Sequence, residues 1–246
     1  MFSNHCRKFG LSTFFIAFIL LHSFGQVSTD QLTVSASTTS WYDQQIGKEL
    51  TGVLLGAYYP IQRVSNTTHQ FFLTDQWKTG AFKYRGRQYD SVAMMYDIHE
   101  DVLVIRHPTS FQFHAQAIRP NQSQIEWFTI GNHFFRYTTD DILIYKEGFV
   151  EVLFSGDQIE LIAKRVLQKE TGTTIEYKAY DRYLLHVGDE YHRIRRKGSV
   201  LSLFKAHRKE IKDFIRQNKI RVHPDYELHL LELTRFLEDL LATTPQ

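Results

Sequence analysis

The chain reads as an α+β protein: a mainly antiparallel β-sheet, a meander able to curve into a half-barrel, followed by a C-terminal helical hairpin. Three observations predict this. Between residues 46 and 196 the apolar runs are short, rich in Val, Ile, Phe and Tyr, and cut by turn residues about every eight to twelve positions. The connections between runs leave no room for crossover helices, so neighbouring strands should run antiparallel. From Lys197 onward the apolar residues recur at helical spacing instead.

Residues 1–25 have the form of a secretory signal peptide. Arg7 and Lys8 precede the apolar run Phe14–Leu21, and Ser23-Phe24-Gly25 places small residues at the positions a signal peptidase reads, so cleavage is expected after Gly25. The run is shorter than the roughly 20 residues a membrane span requires, and no later segment is apolar enough to span. The one cysteine, Cys6, lies inside this segment, so the mature chain is expected to hold no disulfide, thiol nucleophile or lipid-modified cysteine. Export without disulfides suits a bacterial periplasm or cell surface. Residues 26–45, polar and poor in large apolar side chains, read as a flexible leader. Residues 46–246 then form one domain, β-rich to 196 and helical from 197.

Within the β region three hairpins stand out. Strands 79–84 and 87–96 turn at Arg85-Gly86, 125–130 and 133–137 at Gly131-Asn132, and 148–154 and 158–166 at Ser155-Gly156-Asp157. Glycine supplies the positive φ that tight hairpins need. Further strands are predicted at 101–106, 110–118, 174–180, 182–187 and 190–195. A first helix carries Val200, Leu201, Phe204, Ile211, Phe214 and Ile215 and ends near Asn218. A second starts near Pro224-Asp225 and carries Leu230, Leu233, Leu237, Leu240 and Leu241.

Trp77, Gly80, Tyr84, Gly86, Tyr89, Val92, Tyr96-Asp97 and Asp101, then Gly148–Gly156, then Lys197-Gly198-Ser199-Val200-Leu201 form a pattern across most of 70–220. It is similar to a group of exported bacterial envelope proteins for which no activity is established. The resemblance implies export and a single fold, and carries over no catalytic residue.

Chemistry is mostly excluded. There is no G-x-S-x-G elbow, no H-E-x-x-H and no phosphate-binding glycine loop. His107 and His114 straddle Pro108 at a spacing that suits neither a helix face nor a short strand. Glu126, Glu147, Glu151 and Glu160 lie on or beside predicted strands. They would matter together only if two faced one cleft, as in a glycan hydrolase. The acidic stretch Asp97-Ile98-His99-Glu100-Asp101 follows the alternating Val92, Met94, Tyr96 and reads as a strand-ending turn. No metal, cofactor or catalytic residue is assigned.

Two features suggest binding. The formal charge of +2 becomes zero once Arg7 and Lys8 leave, which argues against nucleic acid. Yet Arg193–Arg221 concentrates eleven basic residues against Glu210 and Asp213. Lys205, Lys209, Lys212, Arg216 and Lys219 recur at steps of four and three, a stripe on one helix that would dock an anionic envelope component or another envelope protein. The abundant aromatic residues could alternatively line an apolar cavity, which would make the protein a carrier of lipid or another apolar ligand. The expected role is therefore non-catalytic binding or assembly in the envelope, with the carrier as alternative and a secreted glycan hydrolase third.

Overall fold

The structure is a computed structural model that describes residues 52–53, 55–62, 68–107, 117–139, 147–172 and 175–243. The signal and leader segments and most of the predicted strand 110–118 lie outside the described residues.

Thirteen strands are present among them: β1 (Ala57–Tyr58), β2 (Lys78–Tyr84), β3 (Arg87–Asp97), β4 (Val102–Arg106), β5 (Ala117–Arg119), β6 (Ile125–Ile130), β7 (His133–Thr138), β8 (Gly148–Ser155), β9 (Ile159–Lys164), β10 (Leu167–Thr171), β11 (Ile175–Ala179), β12 (Arg182–Val187) and β13 (Glu190–Ile194). Eleven form one open sheet in the order β1-β5-β4-β3-β2-β6-β7-β8-β9-β12-β13, and every pairing is antiparallel. The predicted α+β class is the one observed. The three expected hairpins are β2–β3, β6–β7 and β8–β9.

At the β2–β3 turn, Arg85 (φ 50) and Gly86 (φ 77) are both left-handed, as a two-residue hairpin matching the strand twist demands. That turn is braced by the neighbouring strand: Arg85 N–H donates to the Gln124 carbonyl at 3.0 Å and Gly86 N–H to Glu126 at 2.8 Å.

The sheet encloses two cores. Strands β2 to β8 send Phe82, Tyr84, Tyr89, Val92, Met94, Tyr96, Leu103, Ile105, Ile118, Ile125, Phe128, Ile130, Phe135 and Phe149 into one apolar cluster. One cluster shared by so many consecutive strands requires the sheet to curl around it. Its centre is aromatic. Phe128 stacks on Phe135 at 4.7 Å, and Tyr96 lies 5.0–5.9 Å from Phe128, Phe135 and Phe149. Each such ring contributes about 1.5–3 kcal/mol through burial, plus a preference for tilted and offset contacts. The curl is sealed at β4, where the Gln122 side-chain amide accepts from Leu103 N–H at 2.6 Å and donates to Leu103 C=O at 3.2 Å, replacing a strand partner.

The second core lies between β9, β12, β13 and three helices: α1 (Lys197–Leu203), α2 (Arg208–Gln217) and α3 (Glu227–Ala242). The spacing predicts one helix to Asn218, but the chain breaks between Phe204 and His207. Phe204 leaves helical geometry (φ −104, ψ 64) and is buried with Val200 and Leu201. Six residues, 205–210, separate Phe204 from the next buried apolar residue, Ile211. A continuous helix would turn His207 and Arg208 onto the face that carries Phe204 and Ile211, and the break at Phe204–His207 avoids this. Helix α2 ends at Asn218, with Lys219 left-handed (φ 53) and Ile220 N–H reaching back to the Ile215 carbonyl at 3.0 Å. This is a Schellman closure with lysine where glycine is usual.

Two other expectations change. Residues 167–171 are also a strand, and the predicted strand 174–180 pairs with it in a separate two-stranded sheet, β10–β11. The helix expected near Pro224-Asp225 begins at Glu227.

Candidate functional site

The five basic residues of the predicted stripe are all exposed, but they do not share one helix. Lys209, Lys212 and Arg216 lie on the outer face of α2, opposite buried Ile211 and Ile215. Lys205 falls in the break before α2 and Lys219 in its terminal turn, so the stripe contracts to three residues with Arg208 beside them. Asp213 pairs with Arg216 at 2.9 Å. Phe214 stacks on Phe236 of α3 at 4.0 Å, which holds α2 against its neighbour and leaves the basic face outward.

The four candidate carboxylates do not converge. Glu151 faces the cores, because its cross-strand partners are Phe135 and Ala163. Glu160 alternates with Ile159 and Leu161 and faces the other side with Ile162. There it takes a two-pronged contact from Arg136, whose pairing with Val150 places it on that same face. Tyr191 joins this group at 3.3 Å from Arg136, with His186 stacked on its ring at 4.3 Å. Glu126 sits on the far lobe, paired with Lys83 at 2.7 Å, and its bonds to Lys83 and the Gly86 N–H hold its carboxyl below the usual range. Glu147 is exposed just ahead of β8. Two carboxylates on opposite faces of a sheet cannot flank one glycosidic bond.

The acidic turn is scaffold in its geometry. Val92, Met94 and Tyr96 share the first core with Ile98 packed against it, as their alternation predicts. The strand stops at Asp97. One Asp97 oxygen accepts Glu100 N–H at 2.9 Å and the other the Tyr59 hydroxyl at 2.6 Å. Burial raises the Asp97 carboxyl, against the lowering effect of these bonds. Asp101 accepts the Tyr96 hydroxyl at 2.6 Å and Lys164 at 2.5 Å, tying the turn to β9. His99 contacts the Leu167 carbonyl at 3.1 Å. His107 is half-buried, and His114 lies outside the described residues. Among the described residues no group of three or more His, Cys, Asp or Glu could hold a metal ion.

The main polar cluster was not foreseen. Arg165, at the end of β9, is buried among three carboxylates. Its Nε and Nη2 meet Glu151 at 2.6 and 2.5 Å, and its Nη1 meets Asp181 at 2.6 Å and Glu227 at 2.7 Å. Tyr183 donates to Glu227 at 2.8 Å, and His133 Nδ1 contacts the second Glu151 oxygen. Burial alone would lower the Arg165 pKa, but Glu151, Glu227 and Asp181 outweigh it and hold the guanidinium firmly charged. Burial likewise pushes Glu227 up, and Arg165 and Tyr183 bring it below the usual carboxylate range. The cluster joins β7, β8, β12 and the first turn of α3 where the two cores meet. With all three guanidinium nitrogens engaged, it serves cohesion. One sequence signal could have found it: Lys164-Arg165 closes the apolar run Leu161-Ile162-Ala163, and basic residues ending a buried strand need acidic partners.

A second link holds α3 to the sheet. The Glu238 carboxylate accepts the backbone N–H groups of Asp157 (2.7 Å), Gln158 (3.0 Å) and Ile159 (2.9 Å) in the β8–β9 turn. Gly156 leaves room for this seat, since a Cβ at that position would meet the Glu238 carboxyl group and displace it.

No protein-family model, curated protein or solved structure matches the chain.

Proposed function

We propose that this is a non-catalytic protein exported to the bacterial envelope, where it docks on an anionic component through the outer face of α2. The observation that carries the proposal is the disposition of that helix. Lys209, Lys212 and Arg216 point outward, with exposed Arg208 at the helix start and Glu210 and Asp213 as the acidic companions, on a chain whose formal charge is otherwise nearly balanced. Export rests on the form of residues 1–25, and no helix among the described residues is long and apolar enough to cross a membrane.

The carrier alternative draws no support from the curled lobe, whose aromatic rings pack on one another in place of lining a space. The hydrolase alternative meets the separation of Glu151 and Glu160 onto opposite faces.

The test is co-sedimentation with phosphatidylglycerol vesicles at low salt. Each basic residue near such a surface contributes about 1 kcal/mol, screened within roughly 10 Å at 0.1 M salt. Wild type should bind and release with salt, and the K209E/K212E/R216E variant should fold normally and fail to bind. Absence of wild-type binding at low salt ends the lipid version of the proposal. Chain recovered from the envelope should begin at Gln26.

A further inference from the structure

A second basic site lies at the end of the β12–β13 hairpin, and it does not depend on α2. Arg193 of β13 pairs with Leu184 of β12, whose side chain packs with Val150 and Ile162 on the face away from the second core. Arg182, two residues before Leu184, shares that face, and Arg195 follows one residue beyond β13. Three guanidinium groups thus lie near one end of the β12–β13 hairpin, Arg182 with a further interaction of its own. Like charges facing each other across strands oppose pairing.

The site opens into a cleft of about 430 Å³ whose lining includes Asp181, Arg182, Arg193, Pro224 and Asp225. Of its two carboxylates, Asp181 is committed elsewhere, holding Arg165 with one oxygen and Val166 N–H with the other, and Asp225 is largely exposed at the rim, 3.2 Å from His223. Arg193 is half-buried, and among the described residues its guanidinium has no hydrogen bond or ion pair. Burial, Arg195 and Arg182 all act to lower its pKa, with no acidic neighbour acting against them. A planar fork of donors held half out of water beside two like charges is chemistry suited to a tetrahedral oxyanion.

We infer that the cleft between the β12–β13 hairpin and the Pro224-Asp225 loop binds a phosphoryl group, with Arg193 as its principal ligand and Arg182 and Arg195 beside it. The shared chemistry is the phosphoryl oxygens, which free phosphate or a glycerol phosphate unit of an envelope polymer or lipid would both present.

The experiment is thermal unfolding of the full-length mature chain at pH 7, titrated with sodium phosphate or with sn-glycerol 3-phosphate against sodium chloride of equal ionic strength. Wild type should show a saturable rise in Tm, as a ligand specific for the folded state gives. R193Q should be at least as stable as wild type in chloride, because a like charge is removed, and should bind phosphate roughly tenfold more weakly. R195Q, at an exposed position, should fold normally and weaken binding in the same direction, which keeps the test decisive if R193Q does not fold. K209E/K212E/R216E should respond like wild type, so failure of the α2 docking proposal and failure of this one are distinguishable. A tighter response to glycerol phosphate identifies an esterified source, and a tighter response to inorganic phosphate a free one. A rise that does not saturate, or one that R193Q and R195Q share in full, overturns the inference.

Discussion

Replacing Glu238 by Ala removes the carboxylate that gathers three backbone N–H groups of the β8–β9 turn. The Asp157 and Gln158 amides are exposed and regain water, so their bonds should count for a few tenths of a kcal/mol each. The bond to Ile159 N–H is partly buried, and a hydrogen bond to a charged group in such a place contributes about 1.5–3 kcal/mol. The expected loss is therefore about 2–3 kcal/mol, or a Tm lower by roughly 4–12 °C for a domain of this size. Glu238→Gln should recover little, because its amide NH₂ must face at least one of the N–H donors. Gly156→Ala should cost a similar amount by driving the carboxylate out of its seat. The double variant G156A/E238A should then cost clearly less than the sum of the two singles, since both remove the same interaction. Urea unfolding of the four proteins, read by far-UV circular dichroism, gives the coupling. Additive losses, or a Glu238→Ala loss under about 0.5 kcal/mol, would refute the claim that this seat holds α3 to the sheet.

Arg165→Met should destabilise by about 3–5 kcal/mol, because it leaves Glu151 buried without a countercharge, and adding Glu151→Met should restore much of that; denaturant midpoints decide it. Asp97→Ala should cost about 0.5–2 kcal/mol through its lost turn-capping bonds, while His99→Ala stays near neutral, with chelator changing neither value in equilibrium unfolding. The folded pKa of Glu227 lies below its unfolded value, so its contribution is present above the unfolded pKa and is lost as pH falls through the folded one. Stability measured from pH 7 to pH 3 should accordingly fall less steeply for Glu227→Gln than for wild type.

Much of the sheet was legible because its signals are local. Arg85-Gly86 and Gly131-Asn132 announce turns within two residues, and the alternation Val92, Met94, Tyr96, Ile98 marks the side chains that enter the first core. The helix break at Phe204 was not legible, because periodicity registers which residues are apolar and not where the chain must bend to seat them. The Arg165 cluster draws on residues 133, 151, 165, 181 and 227, and no window along the chain contains them together. The basic stripe shows both effects at once. Its spacing located Lys209, Lys212 and Arg216 on one exposed face, while Lys205 and Lys219 fitted the same arithmetic on either side of a helix that does not reach them.

The strand order has a kinetic side. Most ladders in the large sheet join consecutive strands, which close small loops quickly, but β2 pairs with β6 across 46 residues at Phe82–Phe128, and the Gln122 segment must pass β4 for that to happen. Closing a long loop spends chain entropy before any contact compensates it. The two-residue β1 closes a still longer loop on β5, from Ala57 to Arg119, but only at the edge of the sheet, so the β2–β6 seam is the bottleneck for its interior. Until it closes, β2 and β6 each expose an unpaired edge beside apolar side chains, so crowding and temperature would divert the chain toward aggregation at that seam sooner than at any hairpin.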